Sequence, residues 1–401
     1  MPRKLNDWIS AYMDYTDQSE PPILYRKWVA ISVIAAALQR KCYLGWGSLT
    51  FYPNMYIVLV GPSGKCRKGT AMGVGAGFLR DLGVSMAAEA VTREALIREL
   101  NEASQTDPDF SSGEINTHAS LTIYSPELTV FLGYNNMRLM IDLTDWYDCR
   151  DRWKYVTKNM GTDDITGVWV NMIGATTPGL IQSALPRDAI GGGLSSRMIF
   201  ITEQEKGKVV ATPWGEGNTE ELRESLMHDL SDIHSMSGKF QVTKDFIKEK
   251  WVPWYYEQED NPPFKGDPNF AGYIHRRPNH ILKLCMILSA SEGSDMIITA
   301  DIFDRALNLL EQTEINMPMT FRGVGSSRTS EVMARIMSYI AAEGETSYEN
   351  LLSQFKYDVD GARQLEDFVQ TFKKMGFCNT KANARGEMTI TFNKNFEENV
   401  R

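Results

Sequence analysis

The sequence predicts an α/β protein with a three-layer core, a helical region after it and a small α+β unit toward the C-terminal end. Three observations predict this. A continuous apolar run, Met55 to Val60, ends in Gly61-Pro62-Ser63-Gly64 and is followed by a helical pattern from Thr70 to Leu82, which reads as strand, glycine loop and helix. Short apolar runs at Ser120 to Tyr124, Val168 to Gly174 and Met198 to Thr202 are separated by helical or irregular stretches, as expected of buried strands in a sheet covered on both faces. Later, three helical segments are followed by two short strand-like runs.

In chain order, Leu5, Trp8, Ile9, Tyr12 and Met13 recur at helical spacing, and after Pro21-Pro22 the run Trp28 to Leu38 is strongly apolar. These predict two helices in an N-terminal segment, residues 1–45. The α/β core is expected over 46–212, ending where Glu205 to Gly217 turns polar and glycine-rich. Residues 213–321 read as mostly helical, with helices at Glu221 to Ile233, Ile274 to Ser289 and Ala300 to Ile315. A linker, Arg322 to Ser330, precedes a unit over 329–396. It holds a helix from Glu331 to Ala342, a second capped by Thr346-Ser347, and a third from Gly361 to Met375. Strands at Phe377 to Thr380 and Glu387 to Phe392, joined through Ala384-Arg385-Gly386, complete the order of a winged helix.

The 401 residues are too many for one compact core. With 43% hydrophobic and 23% charged residues the chain has the material for a packed interior. Its 42 basic and 51 acidic residues give a net charge of −9. That excludes a protein that coats polyanions with its whole surface, so any nucleic-acid contact is local. The five cysteines, Cys42, Cys66, Cys149, Cys285 and Cys378, are far apart with no C-x-x-C pair, against a disulfide framework or zinc cluster. The apolar stretches fall short of a membrane span and no basic-then-apolar leader opens the chain, so the expectation is cytoplasmic, with no membrane partner.

The loop reads Gly61-Pro62-Ser63-Gly64-Lys65-Cys66-Arg67-Lys68-Gly69-Thr70. In a phosphate-binding loop, glycines let backbone N–H groups face the phosphates and the helix N-terminus adds partial positive charge. A lysine reaches the outer phosphates and a hydroxyl holds Mg²⁺. The standard G-x-x-x-x-G-K-[ST] spacing would place its second glycine at Cys66 and its lysine at Arg67. A one-residue expansion instead gives Lys68 the lysine role and moves the hydroxyl to Thr70, with Gly69 at its usual position. The alternative is an ordinary strand-to-helix turn with solvated lysines. Loop amides already bonded to protein would overturn the phosphate reading.

A nucleotide hydrolase also needs a carboxylate at a neighbouring strand end. Glu127 follows the run Leu121 to Tyr124, with Ser125 and Pro126 where a companion acid would stand. Pro126-Glu127 also suits a helix start. Thr177, before Pro178 at the tip of Val168 to Gly174, fits a residue that senses phosphate, or a helix cap. Arg197 follows Gly191-Gly192-Gly193-Leu194-Ser195-Ser196 and fits an arginine that reaches a neighbouring subunit's phosphate, or a salt bridge. Between these strands, Trp153 to Thr166 reads as a β-hairpin. Lys154 and Lys158, with Arg152, offer phosphate contacts unless Asp163 and Asp164 neutralise them. His275 and His280 are not spaced as a metal pair.

The motifs GPSGKCRKGT, SPEL, GATTP and GGGLSSR, in this order, resemble the P-loop ATPase family of phage and plasmid primase-helicase proteins. The chain is similar more distantly to superfamily 3 helicases and other AAA+ ATPases. The likeness covers roughly residues 20–290. It implies an AAA+-like P-loop core with Lys68 as the Walker A lysine, Glu127 as the Walker B glutamate, Thr177 as a sensor and Arg197 as an arginine finger. It also implies ATP and Mg²⁺ as cofactors and a homo-oligomeric ring, a hexamer, that unwinds DNA while moving on a single strand. In superfamily 3 helicases a hairpin before the sensor strand grips the DNA backbone. Arg276 or Arg277 resembles a lid arginine. Priming would come from a separate primase or polymerase. The competing readings are a replication initiator or loader ATPase without unwinding activity, and a nucleotide-binding module that hydrolyses poorly.

Overall fold

The computed structural model describes the chain except residues 1, 89–90, 110–111, 134–135, 158–160, 186–189, 213–218, 322–327, 383–387, 394–395 and 397–401. The first elements are α1 (Trp8–Tyr15), α2 (Ile23–Leu38), β1 (Cys42–Trp46), β2 (Leu49–Phe51), β3 (Tyr56–Val60), α3 (Lys68–Leu82), α4 (Arg93–Glu102), β4 (Ser104–Pro108) and β5 (Ile115–Ser125). Then come α5 (Leu128–Leu132), α6 (Met137–Tyr147), β6 (Arg152–Thr157), β7 (Gly161–Thr166), β8 (Val168–Thr176), α7 (Pro178–Ala184) and β9 (Met198–Thr202). They are followed by α8 (Thr219–His234), β10 (Gly238–Val242), α9 (Val252–Asp260), α10 (Ala271–Glu292), β11 (Ile297–Ile298) and α11 (Ala300–Glu314). The last are α12 (Arg328–Glu343), β12 (Glu345–Ser347), α13 (Tyr348–Phe355), α14 (Ala362–Lys374), β13 (Cys378–Ala382) and β14 (Met388–Phe392).

The chain divides into two compact units, Met1–Arg322 and Gly323–Arg401. The first is built on a five-stranded sheet of order β4-β5-β8-β3-β9. β5, β8, β3 and β9 are mutually parallel and β4 is an antiparallel edge. Every residue of β3, β8 and β9 is buried, which is why these strands read as continuous apolar runs rather than alternating ones. α2 is buried around most of its circumference, so it carries no amphipathic stripe. It is pinned to the sheet where Asn171 donates to the Ser32 carbonyl and hydroxyl, both at 3.2 Å. α3 approaches closely because Gly75 has no Cβ: one placed there would lie 2.5 Å from Val29 and 2.6 Å from the Tyr124 hydroxyl.

A second sheet, β11-β10-β1-β2, was not anticipated, and its strands β10 and β11 lie in the stretch expected to be mostly helical. β1 pairs in parallel with β10, Cys42 opposite Gly238. The N-terminal segment, the core and the helical region thereby share one unit, and the boundaries expected at residues 45 and 212 fall inside it. A five-residue strand with two inward positions, joined to a partner far away in sequence, leaves little local trace.

The second unit contains α12 to α14 and the antiparallel sheet β12-β14-β13. Ile336, Ile340, Leu351, Leu365, Phe372 and Ile390 form its dry centre. Ser347 caps α13 by accepting from the Asn350 N–H at 3.1 Å. The expected turn through Ala384-Arg385-Gly386 lies outside the described residues. Among the described residues no helix is long and apolar enough to cross a membrane.

Candidate functional site

Ligands of open α/β sheets bind beyond the carboxyl ends of strands, where the strand order reverses. β3 occupies that point here, since the chain next enters the sheet on the β5 side and returns last to β9 on the other. The loop leaving β3 is held at its root by three contacts. The Tyr25 hydroxyl donates to the Val60 carbonyl at 2.6 Å, the Gly61 N–H donates to Thr176 at 3.3 Å, and the Cys66 thiol donates to the Glu203 carbonyl at 3.2 Å. Gly61 is obligatory: a Cβ would stand 2.6 Å from the Glu203 carbonyl and 2.7 Å from the Tyr25 hydroxyl.

Beyond this root the backbone is free. Residues 63–65 make a turn, with Gly64 in the left-handed region at φ 68°. No N–H from Ser63 to Thr70 makes a hydrogen bond of ordinary length and angle to a protein acceptor among the described residues. Pro62 is half-buried and Ser63, Gly64, Gly69 and Thr70 are exposed. α3 begins at Lys68, so the positive end of its dipole opens into the same space.

The three cations of the loop point to different places. Lys65 pairs with Glu205, and Arg67 with Glu20 at 2.7 Å. Lys68 alone folds back over the loop, its Nζ donating to the carbonyls of Gly61 at 2.6 Å and Pro62 at 3.1 Å. Burial lowers the Lys68 pKa, opposed by Cys66 and by the Glu127 carboxylate.

Strand register brings the other expected groups to this edge. Val60 is opposite Thr176 and Ser125 opposite Gly174, so Glu127 follows the carboxyl end of β5 as Thr177 follows that of β8. Glu127 is exposed, and although it stands at the N-cap of α5 its side chain makes no cap bond. Thr177, the N-cap residue of α7, likewise makes no side-chain cap bond. Backbone donors without a protein partner among the described residues, one lysine, one carboxylate and one hydroxyl thus lie at the carboxyl ends of β3, β5 and β8. For Mg²⁺ the fit is partial. The Thr70 hydroxyl stands in the first turn of α3, but the companion acidic position is the buried Ser125.

Arg197 takes the salt-bridge alternative. It is 7% exposed; its guanidinium donates to Asp148 at 3.1 and 2.5 Å and to the Gly193 carbonyl at 2.9 Å. Within the chain every arm of the guanidinium has a partner, so a finger role would require Arg197 to leave Asp148. Arg276 donates through Nε to the Ser196 hydroxyl at 3.1 Å and lies 3.7 Å from Asp148, whereas Arg277 is committed to Glu314 through two hydrogen bonds of 2.7 and 2.9 Å. His280 is buried against Tyr147 at 3.1 Å, and burial pushes its pKa down to about 3.

The hairpin forms from β6 and β7. Arg152 is bound to Asp164 through two hydrogen bonds of 2.7 Å. Lys154 is exposed, opposite Asp164, whose carboxyl pKa it helps to lower, and makes no close ion pair among the described residues. Lys158 lies outside the described residues. Among the described residues the one cluster with metal-ligand spacing is His228, Asp229 and Asp232. There the Asp229 carboxylate accepts the N–H groups of Lys4 and Leu5, both at 2.8 Å, and serves the fold.

Sequence reasoning missed Tyr25, Glu20 and Glu203. Tyr25 and Glu20 act through partners remote in sequence, which no local pattern reports. Glu203 directly follows β9 as Gly61 follows β3; it is half-buried, and desolvation raises its carboxyl pKa. The strand-end position was the signal available. The chain matches no family model, and no curated protein matches it.

Proposed function

We propose that the chain is an ATPase that couples Mg²⁺-ATP hydrolysis to movement on single-stranded DNA, as a ring helicase of the phage and plasmid type. The observation that carries this reading is the run of uncommitted N–H groups from Ser63 to Thr70 beneath the folded-back Lys68. Backbone donors left open at a helix N-terminus suit phosphate oxygens, and Lys68 can exchange two carbonyls for a phosphate. When bound, Mg²⁺ would neutralise the phosphate tail, with Thr70 the available hydroxyl. Glu127 would orient the attacking water and Thr177 would hydrogen-bond beside it. The core then has the AAA+-like P-loop plan and the second unit that of a winged helix.

The second reading, an initiator or loader ATPase without unwinding activity, is favoured by one observation. Of the expected basic track, only Lys154 is an unpaired cation among the described residues. The test is ATP hydrolysis with and without single-stranded DNA, beside strand displacement on a forked duplex. DNA-stimulated hydrolysis with displacement is expected. Hydrolysis without displacement selects the second reading, and no ATP binding sinks both.

A further inference from the structure

Glu20 lies in the linker between α1 and α2, yet it is the hub of the contacts around the loop. Its Oε2 accepts from the Arg67 Nε at 2.7 Å, and its Oε1 accepts from the Lys206 Nζ at 2.6 Å and the Val210 N–H at 3.4 Å. Its carbonyl accepts the Gly207 N–H at 2.9 Å. Gly207 is packed so closely that a Cβ would lie 3.0 Å from the Pro21 carbonyl. Lys208 adds a pair with Asp17 at 3.0 Å. The segment after β9 is therefore fastened to the α1–α2 linker, and the loop is fastened to the linker through Arg67 and to the segment also through the Lys65–Glu205 pair and the Cys66 thiol.

Arg67 immediately precedes Lys68 and adopts φ 55°, ψ 37°, the left-handed conformation that side chains disfavour. The Glu20 contact holds the guanidinium away from the space that the free loop amides face. An anion entering that space competes with Glu20 for Arg67, and the Glu20 charge beside it repels the anion. The guanidinium cannot serve both in full. We propose that the Arg67–Glu20 pair is a latch that polyphosphate binding opens, so that loop occupancy draws Arg67 away from the carboxylate that also holds Lys206 and Val210. The proposal rests on the phosphate reading of the loop and assigns it a means of signalling.

The test is calorimetric titration with inorganic tripolyphosphate of the wild type, Glu20→Gln, Arg67→Gln and the double variant. Lys68→Ala serves as the control that ties binding to the loop. The latch predicts that Glu20→Gln binds about fivefold more tightly or better, and that the gain vanishes in the Arg67→Gln background. Equal or weaker binding by Glu20→Gln overturns the latch while leaving the loop reading intact, as does an undiminished gain without Arg67. Absence of binding by every form overturns the loop reading and the latch together.

Discussion

The two ends of the core strands treat polar groups in opposite ways. At the carboxyl end, the amides from Ser63 to Thr70, the Glu127 carboxylate and the Thr177 side chain have no hydrogen-bond partner among the described residues. At the amino end, Arg197 is spent on Asp148 and Gly193, and the fully buried Lys283 on Asn54 at 2.5 and 3.1 Å. Charge by itself is a poor guide to a site, because a buried charge needs internal partners merely to be tolerated. Donors left open at a strand end are more informative.

The largest expected effect separates the two ends directly. Lys68→Ala should lower ATP turnover by about a hundredfold or more, roughly 3 kcal/mol of barrier. Its unfolding free energy should stay within about 0.5 kcal/mol of wild type. Arg197→Ala should instead lower stability by about 2–3 kcal/mol, less than for a wholly enclosed pair because Asp148 is 40% exposed. Denaturant unfolding beside steady-state hydrolysis reads both. Loss of turnover without loss of stability in Arg197→Ala would return that residue to the chemistry and break the contrast.

Lys283 sharpens the contrast through pH. Burial pushes its pKa down to about 8, with Arg276 and Arg197 adding and Cys149 and Asp148 opposing. Between pH 8 and the ordinary lysine value of 10.5, the folded chain has released this proton and the unfolded chain still holds it. Stability from this group therefore rises with pH across that window, by on the order of 3 kcal/mol. Buried thiols such as Cys285, whose pKa burial raises, act in the opposite direction. The informative quantity is the difference between wild type and Lys283→Met, which should grow in favour of wild type from pH 8 upward. A flat difference would mean that Lys283 keeps its charge in the fold.

What the sequence disclosed follows the same division. The strand, glycine loop and helix around Gly61 are local, and each is visible as a change of period within a few residues. The Ser347 cap was visible for the same reason. Arg197 was visible as an arginine beside a glycine-rich loop, but its partner Asp148 lies 49 residues earlier, and nothing local announces that pairing. The β1–β10 pairing and the Tyr25 bond to Val60 were hidden likewise, since they are set by how elements pack and not by any window of sequence.

The hairpin offers a smaller version of the comparison, between Arg152, bound twice to Asp164, and the unpaired Lys154 two residues on. Lys154→Ala should weaken single-stranded DNA binding about fivefold at low salt and flatten the salt dependence by one phosphate contact. Arg152→Ala should change binding less, because its charge is already neutralised within the strand pair. Equal losses would mean that DNA draws Arg152 away from Asp164.

The smallest effect tests whether the loop is held as described. Arg67 has φ 55°, where a side chain costs about 1 kcal/mol that glycine avoids. Replacing Arg67 with alanine or glycine removes the same exposed pair to Glu20, so the surface ion pair cancels when the two variants are compared. Glycine loses more backbone freedom on folding, which offsets part of the relief. Arg67→Gly should therefore be more stable than Arg67→Ala by about 0.5–1 kcal/mol in denaturant unfolding. Equal stability would mean that residue 67 leaves the left-handed region once Glu20 lets go. The loop's open amides would then owe their direction to that one carboxylate rather than to the anchoring of Gly61 and Cys66.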